Sequence, residues 1–127
     1  IHFNKRAILL VNDLYNLSPT IRYNINNINN LTGCADYAIP KIFLATGIFK
    51  YSDELLERIF SKSLIEHNSQ MEIEIRGNTL YVIEFMVKYL NNKGIVINSV
   101  QLDNLIWKTR KQIKDDIPVH MTNCIYY

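Results

Sequence analysis

Apolar positions recur at helical spacing over much of this chain. Phe3, Ala7, Leu10, Val11 and Leu14 fall on one face of a helix, with Lys5 and Asp13 off that stripe. Ser18 and Pro19 interrupt the pattern. The Asn-rich run from Arg22 to Asn30 carries Ile at 25 and 28, after Ile21, a spacing that suits a short helix or an ordered loop. Pro40 fits the first turn of a helix, where its missing N–H costs nothing; that helix runs to Thr46 and stops at Gly47. Ser52 is a good N-cap, and Asp53 and Glu54 suit the positive end of the dipole. Leu55, Leu56, Ile59 and Phe60 form the apolar face behind it.

The period then changes. Met71, Ile73 and Ile75 alternate with Glu72, Glu74 and Arg76, which predicts a half-buried strand with an ion-pair ladder on its solvent face. A helix is expected after Asn78, with Leu80, Ile83, Val87 and Leu90 on one face and Gly94 beyond its end. Another is expected from Ser99, buried through Leu102, Leu105, Ile106 and Ile113, bordered by Trp107 and ended by Pro118. The tail from Val119 to Tyr127 reads as extended. The expected fold is mainly α: a single helical domain with at most a short strand pair.

Composition narrows the function classes. A chain of 127 residues with 48% hydrophobic and 20% charged side chains fits one compact domain with a real core. A formal charge of +2 does not by itself argue for nucleic-acid binding. Lys108, Arg110, Lys111 and Lys114 cluster in a helical pattern and read as a solvated face. No run approaches the ~18 apolar residues of a membrane span, and no leader pattern is present. Cys34 and Cys124 are far apart and fit a reducing compartment, so the cytoplasm is expected, although a disulfide stays open. His2, His67 and His120 lack metal-ligand spacing; no phosphate-cradling Gly-rich loop and no Gly-x-Ser-x-Gly elbow occurs.

One acidic residue stands out by context. Asp36 sits among small and apolar neighbours in Leu31-Thr32-Gly33-Cys34-Ala35-Asp36-Tyr37-Ala38-Ile39-Pro40, just before a helix. It can cap that helix, or it can be a functional carboxylate in an apolar setting. The terminal Tyr126 and Tyr127 point to a docked tail, either as core packing or as part of a site.

Several segments together resemble the queuosine-salvage family, the queuosine 5′-phosphate N-glycosidases. Phe3-Asn4-Lys5-Arg6-Ala7 is similar to the family's Phe-x-Lys-Arg-Ala-Gln segment. Leu31 to Lys41 resembles its signature Thr-x-Phe-Ala-Asp-Tyr-Arg-Val-Pro-Gln. Tyr51-Ser52-Asp53-Glu54-Leu55-Leu56, Glu72-Ile73-Glu74-Ile75-Arg76-Gly77, Leu102-Asp103 with Trp107, Pro118-Val119-His120 and the closing Cys124-Ile125-Tyr126-Tyr127 follow in the family's order. The departures are Cys34 for Phe, Ala38 for Arg, Lys41 and Ile8 for Gln, and Met121 for the Arg after the tail His.

The resemblance implies a helical fold related to DNA glycosylases and hydrolysis of the bond between ribose C1′ and the deazaguanine nitrogen, with no metal or cofactor. It makes Asp36 the catalytic carboxylate. Lys5 becomes a contact to the 5′-phosphate or near the leaving base, with a solvated lysine as the bland alternative. Tyr37, Asp103, Trp107, His120 and Tyr126 become substrate-binding candidates: Tyr37 and Trp107 by stacking on the base, Asp103 by accepting from its N–H groups. Without that role Asp103 reads as a helix-surface residue and Trp107 as a core anchor. Family members are more than twice as long. The resemblance therefore implies that residues 1–127 are the C-terminal part of an N-glycosidase domain. Its implied partners are a small nucleoside 5′-phosphate and an N-terminal portion of the same protein, with neither membrane nor direct nucleic acid. The rivals are a helical nucleic-acid-binding module and an interaction fragment without activity.

Overall fold

A computed structural model describes residues 3–17, 25–113 and 116–125. Among them are five α-helices: α1 (Lys5–Asn16), α2 (Ala38–Ala45), α3 (Asp53–Phe60), α4 (Gln70–Asn92) and α5 (Ser99–Lys108), with short 3-10 turns at Ile28–Asn30 and Thr109–Gln112. The mainly α class is as expected. None of the described helices is long and apolar enough to cross a membrane. The expected break at Ser18-Pro19 and the Ile21 position lie outside the described residues.

Local chemistry sets most of the boundaries. Ser52 Oγ accepts the Leu55 N–H at 3.3 Å, and Asp53 and Glu54 follow in the first turn of α3. Asn98 and Gln101 form a reciprocal capping box at the start of α5. Pro40 sits in the first turn of α2, and Gly47 follows that helix at φ +75°, a conformation that side chains disfavour.

The strand expected over residues 71–76 is part of a helix instead. α4 begins at Gln70, well before Asn78, capped by Ser69 Oγ on the Glu72 N–H at 3.4 Å. Its buried residues are Glu72, Ile75, Arg76, Thr79 and Ile83, a helical stripe at i, i+3, i+4, i+7 and i+11. Two members of that stripe are charged, which conceals the period from a hydrophobic reading. The expected surface ladder is corrected with it: Glu72 and Arg76 are 0% and 1% exposed, while Glu74 alone of the three faces solvent.

α2, α4 and α5 pack on one another around Ile39, Phe43, Phe49, Ile83 and Leu102. Phe43 and Phe49 meet edge to face at 5.2 Å, and full burial of a side chain such as Phe43 stabilises by roughly 1.5–3 kcal/mol. A second cluster joins Leu55 and Ile59 of α3 to Ile65 and Ile75. A third joins Ile8 of α1 to Cys34 and Val100.

Three apolar stripes need correction, the first in α3, where Phe60 is exposed. In α1 the buried residue is Ile8, and Leu10 is exposed. The helix docks through Ile8 and Leu9, so Lys5, one turn before Ile8, shares the docking side. In α5 Leu105 is exposed, and Ile113 lies past the helix, which ends at Lys108 and its 3-10 turn rather than at Pro118. The strand pair reduces, among the described residues, to one parallel bridge between Leu64 and Met121, with the Ile65 N–H donating to the Met121 carbonyl at 2.8 Å. That bridge docks the tail.

Candidate active site

The segment Gly33–Asp36 enters α2 through a narrow space. A Cβ at Gly33 would lie 2.7 Å from Ile83 Cδ1 and 3.1 Å from Asp103 Oδ2, so any side chain there would have to displace Ile83. Charged side chains then hold the segment one residue at a time. The Cys34 N–H donates to Asp103 Oδ2 at 2.6 Å. The Ala35 carbonyl accepts from Arg76 Nε at 3.1 Å.

Asp36, 6% exposed, uses Oδ1 to accept the Ala38 and Ile39 N–H groups at 2.8 and 3.2 Å. It therefore does cap α2. Its other oxygen, Oδ2, lies 3.8 Å from Lys5 Nζ. The cap occupies one oxygen and leaves the other facing Lys5, so it does not exclude the functional reading. Lys5 Nζ also stands 5.5 Å from the centre of the Tyr37 ring, and Tyr37 is 47% exposed beside the pair. Lys5, Asp36, Tyr37 and Asp103 are thus gathered around one short segment.

Asp103 is buried, against the helix-surface reading. Burial pushes its carboxyl up to about 6; the Cys34 N–H opposes this, Asp36 adds to it and Lys5 opposes it. Asp103 is thus a buried carboxyl with a raised proton affinity, a perturbation of the kind that acid–base sites use. Burial, with Asp103 and Asp36 nearby, pushes the Cys34 thiol up to about 12, which favours the neutral thiol over the thiolate.

Trp107 follows Asp103 by one turn on α5 and is 39% exposed, so it is not a core anchor. The Arg110 guanidinium covers one face of its indole at 3.1 Å. His120 is buried, and burial lowers its pKa to about 4, with Glu72 raising and Arg76 lowering it. It belongs beside the Glu72–Arg76 pair rather than beside Lys5. Tyr126 lies outside the described residues.

The buried charges of α4 escape the sequence reading. Arg76 Nη1 donates to Glu72 Oε1 at 3.1 Å, and the Phe3 ring stacks on the guanidinium at 4.4 Å. Glu72 Oε2 accepts the Asn68 N–H at 2.7 Å and lies 3.3 Å from His67 Nδ1. Burial alone would raise the Glu72 carboxyl, but the Asn68 N–H and Arg76 together hold it below its ordinary value. The signal that finds this helix start is Ser69-x-x-Glu72, a capping-box pattern ahead of an apolar run.

Two surface grooves lie elsewhere. One of about 870 Å³ is lined by α3 and the first half of α4, the other of about 440 Å³ by α1 and α5, and neither is lined by Asp36.

Comparison with known proteins points to one family. Residues 1–127 match the family described as queuosine salvage protein. Three relatives carry the name queuosine 5′-phosphate N-glycosylase/hydrolase. The Mus musculus protein is 34% identical over 100% of this chain and 41% of its own length. The Dictyostelium discoideum protein is 33% identical over 100% and 40%. The Sphaerobacter thermophilus protein is 30% identical, again over 100% and 40%. The chain thus spans about 40% of the length of the curated relatives it matches. With the Lys5–Asp36 segment inside a match that runs from end to end, the chain belongs to the queuosine salvage protein family.

Proposed function

We propose that this chain carries the catalytic wall of a hydrolase that cleaves the N-glycosidic bond of queuosine 5′-phosphate and releases queuine for salvage into tRNA. The carrying observation is the division of labour at Asp36: Oδ1 is fixed by two backbone N–H groups while Oδ2 faces Lys5. Relatives named for this reaction, matched over the whole chain, support the substrate class.

Departure of the base leaves positive charge on the sugar in an oxocarbenium-like transition state. A carboxylate oxygen held rigidly beneath C1′ stabilises that charge without having to reorient, and it can accept a proton from the attacking water. Lys5 aligns Oδ2 and is placed to bind the 5′-phosphate or the leaving base. Asp103, its Oδ2 engaged by Cys34, is placed to accept from the base N–H groups, and exposed Tyr37 offers a ring to stack on it. Trp107, His120 and Tyr126 complete the proposed set, with His120 acting from behind, through the Glu72–Arg76 pair. The chemistry needs neither metal nor cofactor.

This reading includes a second region, corresponding to the remaining length of the relatives, that closes the substrate against this wall. It places the protein in the cytoplasm, since two cysteines far apart in the sequence suit a reducing compartment.

The test is chromatographic measurement of queuine released from queuosine 5′-phosphate and from queuosine by the protein in its full natural length. Asp36→Asn and Asp36→Ala should each lose 10²-fold or more in kcat, about 3 kcal/mol, with the helical circular dichroism intact. Variants as active as wild type would remove Asp36 from the mechanism.

A further inference from the structure

A buried ion pair is weak evidence for stability, because desolvation can exceed the attraction and apolar replacements are often neutral or better. The Glu72–Arg76 pair, nearly sealed from solvent, therefore needs another reason. Where the Arg76 contacts go supplies it. Nη1 is held by Glu72, and Glu72 is itself fixed at the start of α4 by the Asn68 N–H. With its plane set in this way, the guanidinium reaches two chain segments. Nε donates to the carbonyl of Ala35, the residue before Asp36, and one face lies against Phe3, two residues before Lys5. These are the segments that bear the two members of the Lys5–Asp36 pair.

We propose that Arg76, oriented by Glu72, is a positioning residue that sets Lys5 and Asp36 in register. Lysine cannot substitute: a single ammonium offers neither a planar fork for two acceptors in fixed directions nor a flat face for Phe3. The inference rests on Asp36 being the catalytic carboxylate. A displacement of about 1 Å at a reacting group can cost ~10²-fold, so the effect belongs in kcat rather than in substrate binding.

The experiment measures kcat and KM for queuosine 5′-phosphate on the full natural-length protein, with melting temperatures alongside. The variants are Arg76→Lys, Arg76→Ala, Glu72→Gln and Asp36→Ala. Folded Arg76→Lys should lose about 10²-fold in kcat with KM within about threefold of wild type. Guanidinium ion at sub-denaturing concentration should restore part of the kcat of Arg76→Ala and none of Asp36→Ala. Should Arg76→Ala fail to fold, Glu72→Gln, which keeps the shape and lets the guanidinium tilt, should show the same kcat loss at unchanged KM. Folded Arg76 variants with wild-type kcat, beside an inactive Asp36→Ala, would overturn this inference alone. Losses that follow the melting temperature and recover with a stabilising osmolyte but not with guanidinium would overturn it too. A wild-type protein that releases no queuine would overturn this inference and the proposed reaction together.

Discussion

At Gly33 the absence of one methyl group decides whether the Asp36 segment fits. A Cβ there meets Ile83 Cδ1 at 2.7 Å, and Ile83 is fully buried; Asp103 Oδ2 stands at 3.1 Å. Gly77, within α4, presents the opposite case: a methyl group there would have nothing within 4 Å. The same substitution should therefore have opposite signs. Gly33→Ala is expected to destabilise by about 1–3 kcal/mol through overpacking. Gly77→Ala is expected to stabilise by ~1 kcal/mol through helix propensity and a restricted unfolded chain. Chemical denaturation of both variants checks this. Equal effects would mean that the space at Gly33 is not what limits it. Because the Gly33 clash involves Asp103, it also pushes on the Cys34 N–H that Asp103 holds.

At the scale of an element, α4 shows why one stretch was illegible while its neighbours were not. α3 and α5 announce themselves through apolar positions one turn apart, behind the Ser52 cap and from Ser99, and both begin where the pattern puts them. α4 carries its core-facing stripe on Glu72 and Arg76 as well as on Ile75, Thr79 and Ile83, so apolar residues alone show a false period of two. The site follows the same division. Asp36 and Lys5 are visible through their motifs, whereas Arg76 becomes visible only when the chain brings residue 35 beside residue 76. Buried charge of this kind makes a distinct prediction. Glu72→Leu, which takes the carboxylate away from a buried guanidinium, should cost about 3–5 kcal/mol, and the double variant Glu72→Leu/Arg76→Met should recover more than half of that. Urea denaturation of the two proteins decides it. A double variant no more stable than the single one would mean that the pair is needed for folding itself, not only for register.

Over the whole molecule, two buried groups on different elements pull stability in opposite directions across the acid range. His120, in the tail docked by the Leu64–Met121 bridge, has its pKa lowered by burial from 6.5 to about 4, so the unfolded chain binds its proton more readily than the folded one. Its contribution is complete above pH 6.5 and is lost as pH falls toward 4, a swing of up to about 3 kcal/mol. Asp103 on α5 has its pKa raised by burial from 3.8 to about 6, so the folded chain binds that proton more readily. Its contribution is complete below pH 3.8 and is lost as pH rises through 6. Between about pH 4 and 6 the two slopes oppose each other, and wild type should owe little net pH dependence to either. Removing one should expose the other. Asp103→Asn should melt progressively lower as pH drops from 6.5 to 4, and His120→Gln should melt higher over the same descent, relative to wild type. Glu72, held below its ordinary value, adds the same background to all three proteins, so slopes rather than absolute melting temperatures carry the comparison. Three parallel curves would mean that burial perturbs neither group, and Asp103 could not then be read as a carboxyl tuned by its surroundings.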